Sequence, residues 1–275
     1  MRRLIASLRI FISGAWLSYI ALFRWTEPAS YVASKIVMPL SQILFFTFLG
    51  VSATGVETAD FYIVGNAMQV AAINGIYGVT MTVGRERNEG TLIYLIGSPA
   101  NRLAIFMGRA TFNILDGMLA VVLGFAWGVL LLGLDLSTAN LPGLALTILI
   151  ATASTCGLGL LMGSISLVAL NVMFVNNTVY FLLLLFSGAN IPIVKLPSWA
   201  QTISYMMPLT RGIQAARLLV RGALLAEVWP LLVGELTVGL VYALIGFALF
   251  SRFETQARRR GSLAVSYTHL TLPTT

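Results

Sequence analysis

Long apolar runs separated by short polar breaks organise this chain from end to end. Apolar residues dominate over 33–51, 61–83, 110–132, 143–167, 172–187 and 229–250. A helix needs roughly 20 apolar residues to cross a bilayer, and all these runs lie near that length, the fifth being the shortest. The pattern predicts an all-α integral membrane protein with six transmembrane helices. Residues 1–25 differ. Their apolar part, Ile10 to Phe23, is too short to span, and Arg9 precedes it. At about 100° per residue, Arg2, Arg9, Ser13 and Arg24 fall in one sector, with Trp16, Leu17 and Phe23 away from it. That is the pattern of an amphipathic helix lying in the cytosolic interface; an uncleaved first span is the alternative.

Two of the breaks are long. Between the second and third spans, charges cluster in Gly84-Arg85-Glu86-Arg87-Asn88-Glu89-Gly90-Thr91-Leu92, followed by Arg102 and Arg109. A helix starting near Thr91 would gather Leu92, Leu95 and Ile96 on one face, and Pro99 would end or kink it. We expect a short amphipathic helix that a soluble partner can push against, with an ordinary solvated loop as the alternative. Between the fifth and sixth spans, Pro192, Pro197 and Pro208 break the chain over 188–226. Ser198 and Thr210 are plausible N-caps there, which predicts two short helices, neither long enough to cross.

Composition agrees with the pattern. Of the 275 residues, 58% are hydrophobic and 10% charged, against about 25% charged in a soluble domain. The net charge of +7 suggests nucleic acid, but the basic residues sit at the ends of apolar runs rather than on a soluble face. With the N-terminus inside, every Lys and Arg except Lys195, Arg211, Arg217 and Arg221 falls on the cytosolic side. This positive-inside bias places both termini and the charged island in the cytoplasm.

The residues limit the chemistry. Cys156 is the single cysteine, so no intrachain disulfide forms. His269, the single histidine, lies in the string from Val265 to Thr275. That string resembles a translated sequencing adapter, and we expect 265–275 to be an artefact of that kind; a genuine disordered end is the alternative. We expect no metal site and no catalytic residues. A phosphate-binding loop needs glycines before a Lys and a Ser or Thr. Lys35 and Lys195, the only lysines, follow no such loop.

Charge within the spans calls for partners, because a charge at the bilayer centre costs about 2.5–3.5 kcal/mol on insertion scales. Asp116 lies in the third span, seven residues past Arg109 and on the same helix face, so the two are candidate partners; Lys35 is expected to snorkel from the first span. Asp116, with Asn176 and Asn177 of the fifth span, forms a candidate translocation surface. Interhelical hydrogen bonding is the plainer reading of Asn176, Asn177, Asn66, Gln69 and Asn74. Glu235 reads as a charge paired near the outer interface. Gly124/Gly128 and Gly159/Gly163 have the spacing of close helix packing. Gln214, Arg217 and Arg221 share one face of the outer segment, where they can meet lipid headgroups or an anionic substrate.

Three stretches resemble one family. Glu86-Arg87-Asn88-Glu89-Gly90-Thr91-Leu92, followed by Ser98-Pro99-Ala100-Asn101-Arg102, is similar to the charged pair, Gly-Thr-Leu and Pro-x-x-Arg elements of ABC-2 type permeases. Phe186-Ser187-Gly188, Leu196-Pro197-Ser198-Trp199 and Pro208-Leu209-Thr210 resemble the Ser-Gly, Leu-Pro-x-Trp and Pro-Leu-Thr elements before the family's last span. Arg24 to Pro39 is similar to its entry into the first span. The resemblance covers residues 1–262 in order, nearest to the daunorubicin-resistance and Nod-factor types.

The resemblance implies one transmembrane domain over 1–262. It would comprise an interfacial helix (1–25), a cytosolic coupling segment (84–109), six spans, and an outer re-entrant segment (188–226) whose two short helices dip into the outer leaflet. It implies the permease subunit of an ATP-driven exporter in a bacterial inner membrane, moving a drug, lipid or lipid-linked glycan. Arg85, Glu86, Arg87, Glu89, Gly90 and Thr91 would meet a separate ATPase dimer that binds ATP and Mg. A second permease subunit, a copy of this chain, would complete the assembly. Two other classes stay open: an ion-coupled carrier with Asp116 and Glu235 as ion sites, and a membrane enzyme acting on lipids.

Overall fold

The computed structural model describes residues 32–81, 102–167, 169 and 171–260, with side chains for all of these except 102–110, 254 and 256–260. Residues 1–25, the charged island with Arg85, Glu86, Arg87, Glu89, Gly90 and Thr91, and the string from Val265 lie outside the described residues. Within them every regular element is helical. α1 covers Ala33–Thr54 and opens with a π-helical turn, Ala33–Val37. α2 begins at Ala59–Ile73 and runs into a second π-helical turn, Asn74–Gly78. α3 is Arg102–Leu132, α4 Leu141–Ser166 and α5 Val172–Phe186. Two short helices follow, α6 (Ser198–Met206) and α7 (Thr210–Val220), and then α8, Leu225–Arg260.

Four helices, α1, α3, α4 and α8, contain stretches long and apolar enough to cross a membrane; α5 is apolar but shorter. α2 forms the middle of the bundle. Tyr62 through Ala72 are buried on every side, as expected of a helix without a polar face. Around it pack α1, α3, α4, α5 and α7. The apolar core runs through Ile43, Ile63, Met68, Val121, Ile148, Leu183 and Ile213. Outward-facing positions such as Phe45, Phe48, Leu130, Phe181, Leu240 and Leu244 are exposed and apolar, which suits a surface whose solvent is lipid.

Small residues set the helix spacing. A Cβ on Gly157 would strike the carbonyl oxygen of Gly239, and one on Gly246 would strike the backbone at Leu160 and Leu161. Ser154 Oγ donates to Glu235 O at 3.1 Å, and Ser164 Oγ to Gly246 O at 2.6 Å. α4 and α8 therefore meet backbone to backbone, as small-residue interfaces allow where lipid supplies no hydrophobic drive. The sequence pairs behave alike: Gly124 and Gly128 face Ala67 and Ile63 of α2, and Gly159 abuts the carbonyl of Gly75.

Two helices start on a side-chain cap from the residue before them. Asn140 Oδ1 accepts from Gly143 N, and Asn171 Oδ1 from Phe174 N, both at 3.0 Å, capping α4 and α5. Ser198 and Thr210, expected as N-caps, are instead the first residues of α6 and α7, and neither helix has a side-chain cap from its preceding residue. Pro197 already sets the turn before α6. Before α7 the chain turns through Leu209 in the left-handed region, φ 76°, and its cap comes from a distant helix.

Candidate functional site

The polar residues inside the bundle fall into three groups. The first joins α1, α2 and α3. Lys35 Nζ donates both to Asn74 Oδ1 and to Asp116 Oδ2. The lysine and aspartate side chains are 15% and 10% exposed, so this is a largely buried ion pair with an amide as third member. The lysine thus turns into the bundle instead of snorkelling, and Asp116 has a partner on another helix. The side chain of Arg109 lies outside the described residues. Sequence spacing cannot find such a pair, because Lys35 and Asp116 are 81 positions apart. The available signal is thermodynamic: an isolated intramembrane charge requires a counter-charge.

The second group joins α1, α2 and α5. Tyr77 O–H donates to Asn177 Oδ1 at 2.5 Å, and Tyr180 O–H to Gln42 Oε1 at 2.8 Å. The two tyrosine rings meet edge to face, centroids 6.1 Å apart. Asn177 is exposed, whereas Asn176 is fully buried, with neither its Nδ2 nor its Oδ1 hydrogen-bonded among the described residues. Asp116 and Asn177 reach the same π-helical turn from different helices, through the Lys35–Asn74 contact and through Tyr77. The other amides bond between elements as expected: Asn66 Nδ2 donates to Asn190 Oδ1 at 2.8 Å, and Gln69 Oε1 accepts from Ser187 Oγ at 3.1 Å.

The third group holds the segment 188–226 onto the bundle. Glu235 of α8 is fully buried. Its Oε1 accepts from Leu209 N at 2.5 Å, and its Oε2 from Arg211 N and Gly212 N at 3.1 and 3.2 Å. A carboxylate at the N-terminus of α7 satisfies orphan backbone donors and complements the positive end of the helix dipole. It also holds Leu209 in its unusual backbone conformation, which costs a non-glycine residue about 1–2 kcal/mol. Arg217 turns inward as well. Nη1 donates to Gly188 O at 2.8 Å; Nη2 donates to Phe61 O at 2.8 Å and Ala189 O at 2.9 Å; and Cζ lies 3.4 Å from the Phe61 ring centroid. Gly188 has φ +80°, which turns its carbonyl into this cluster at low steric cost. The shared helical face of Gln214, Arg217 and Arg221 therefore divides: Arg217 ties backbone, Arg221 is exposed, and Gln214 Nε2 lies 3.5 Å from Tyr205 Oη.

These groups are suited to holding helices together and presenting hydrogen-bonding side chains along a bundle. Comparison with known proteins says what kind of bundle it is. The probable multidrug ABC transporter permease YbhR of Escherichia coli K12 is 26% identical over 199 residues, 70% of this chain and 52% of that protein. Its counterpart in Escherichia coli O157:H7 matches equally. The chain spans about half the length of these curated relatives. The family model described as ABC-2 type transporter matches residues 15–220, from before α1 to the end of α7 and including the charged island. With a match over most of its length and a bundle of apolar helices, the chain is a multi-pass membrane protein belonging to the ABC-2 type transporter family.

Proposed function

We propose that the chain is the permease subunit of an ATP-driven exporter in a bacterial inner membrane. In this reading α1, α2, α3, α4, α5 and α8 are the six spans, with both termini in the cytoplasm. The segment 84–109 is the coupling segment, and 188–226 is the re-entrant segment of the outer leaflet. A separate ATPase dimer, binding ATP and Mg, engages Arg85, Glu86, Arg87, Glu89, Gly90 and Thr91. A second copy of the chain completes the permease. The description of the Escherichia coli relatives as multidrug permeases supports an amphipathic cargo. So do the tyrosine rings and amides on α1, α2 and α5, which offer stacking surface and hydrogen bonds together.

The observation carrying this reading is the family match over 15–220, together with two short helices held between α5 and α8 by Glu235 and Arg217. The ion-coupled carrier draws no support from the geometry: Asp116 is paired with Lys35, and Glu235 accepts three backbone N–H groups. The test is to express the chain with an ATPase encoded beside it. Glu86→Ala with Arg87→Ala is expected to weaken co-purification and uncouple ATP turnover from the permease. Unchanged complex formation and turnover would remove the coupling role.

A further inference from the structure

The Lys35–Asn74–Asp116 group links the first turn of α1, the π-helical turn late in α2 and a position fourteen residues into α3. Residue 31 leads into α1, α2 runs out toward residue 82, and residue 101 leads into α3. One lysine head group, carried by α1, thus bonds to α2 and α3, joining the three helices that border 1–31 and 82–101 in the sequence. Both Lys35 and Asn74 lie in π-helical turns, Ala33–Val37 and Asn74–Gly78, the only two among the described residues. A π-turn interrupts the regular hydrogen-bond ladder, so it is a point where a helix changes direction or register easily; such turns concentrate at functional places. The Lys35–Asn74 hydrogen bond therefore joins α1 and α2 at the π-helical turn of each, and the ion pair ties α3 to the same lysine.

The neighbouring packing fixes the far side of this junction. A Cβ on Gly75 would strike Thr155, and Gly159 abuts the carbonyl of Gly75. Thr155 Oγ1 donates to Ala71 O at 3.3 Å, and Thr80 Oγ1 to Gly159 O at 3.4 Å. The second π-turn is thus wedged against α4 on one face and bound to Lys35 on another. A displacement entering along α2 from residue 82 reaches α1 and α3 through the charged group and α4 through the wedge.

We propose that Lys35, Asn74 and Asp116 are positioning residues that make α1, α2 and α3 respond as one body to movement of the segment 82–101. The proposal deepens the permease reading and rests on it, since it names the path by which a push on the charged island enters the bundle. A purely compensating ion pair makes a different prediction. A buried pair replaced by apolar residues of similar volume is often neutral or stabilising, so a pair serving only to neutralise charge can be replaced without loss of function.

The test uses the full chain in lipid nanodiscs, with Cys156→Ala and a nitroxide on Asn88→Cys within 82–101. Lys35→Met with Asp116→Leu is expected to keep the thermal unfolding midpoint at or above that of the unsubstituted pair. It is also expected to raise the mobility of the nitroxide and to reduce the chain's effect on ATP turnover by its ATPase about tenfold. Asp116→Glu, which keeps the charge, is expected to hold both readouts near their original values. If the apolar pair leaves label mobility and ATP turnover unchanged, the group is charge compensation and the proposal is wrong. Should the apolar pair not assemble, the swap Lys35→Asp with Asp116→Lys takes its place: recovery relative to either single change supports the joint, and no recovery overturns it. If the original chain alters no ATPase's turnover, the permease reading itself has failed. The nitroxide measurement needs no ATPase, and unchanged mobility there rejects the joint separately.

Discussion

Three side chains determine how this bundle is tied: Lys35, Arg217 and Glu235. Each was visible in the sequence as a charge in or beside an apolar run, which signals that a partner exists without naming it. Glu235 is the clearest case. It reads as a charge near an interface, and the structure makes it the cap of a helix 26 positions away in sequence from its first donor. Glu235→Ala would leave the N–H groups of Leu209, Arg211 and Gly212 without their acceptor. An unsatisfied buried donor costs about 1–3 kcal/mol. We therefore expect a loss of about 3 kcal/mol, measured by denaturant unfolding in micelles, and a smaller loss for Glu235→Gln, which retains one acceptor oxygen. Arg217 yields a second prediction. Its planar fork reaches three carbonyls on two elements, and a lysine is a point charge that cannot do so. Arg217→Lys should open the segment 188–226 to trypsin almost as fully as Arg217→Ala. Equal protection of Arg217→Lys and the original chain would show that charge alone suffices.

At the scale of elements, the apolar runs located the membrane helices, whereas the caps that Asn140 and Asn171 supply to α4 and α5 emerged only with the structure. The limits of α1, α4 and α5 fall close to their apolar runs because helix formation in lipid follows from satisfying the backbone within each segment, while α3 and α8 extend beyond theirs into charged sequence. The caps of α6 and α7 were misplaced because Ser198 and Thr210 carry suitable side chains in a context where Pro197 and Glu235 do the work. Glycine spacing predicted close packing but not which helices meet. Gly157 and Gly239 belong to α4 and α8, where an added Cβ meets backbone that cannot step aside. Gly157→Val should force these helices apart and destabilise the chain by about 1–3 kcal/mol, the usual range for overpacking. Gly133, with φ +73° and nothing within 4 Å of an added Cβ, provides the contrast. Gly133→Ala should cost only the backbone strain, about 1 kcal/mol. A thermal shift assay on the two variants reads the difference; equal shifts would mean that the α4–α8 contact relaxes easily.

At the scale of the whole molecule, orientation is the outstanding prediction. The distribution of Lys and Arg predicts residue 88 inside and Lys195 outside. In a Cys156→Ala background, a cysteine at Lys195, which is exposed, should react with a membrane-impermeant maleimide in intact cells. A cysteine at Asn88 should react only after permeabilisation. Labelling of residue 88 in intact cells would invert the bundle and put the charged island beyond any cytosolic ATPase. The exposed Asn177 belongs to this scale too. Its amide oxygen accepts from the Tyr77 hydroxyl, which ties α5 to the second π-helical turn.

The sequence by itself determined the solvent, the helices and the family. Apolar length, charge placement and motif order are local properties, and each is legible without knowing what touches what. Tertiary structure alone decided the partners. Lys35 with Asp116, Glu235 with the start of α7, and Arg217 with Phe61, Gly188 and Ala189 join residues far apart in the chain. Burial in a medium without water makes an unpaired charge costly, but only the packing of helices selects its partner.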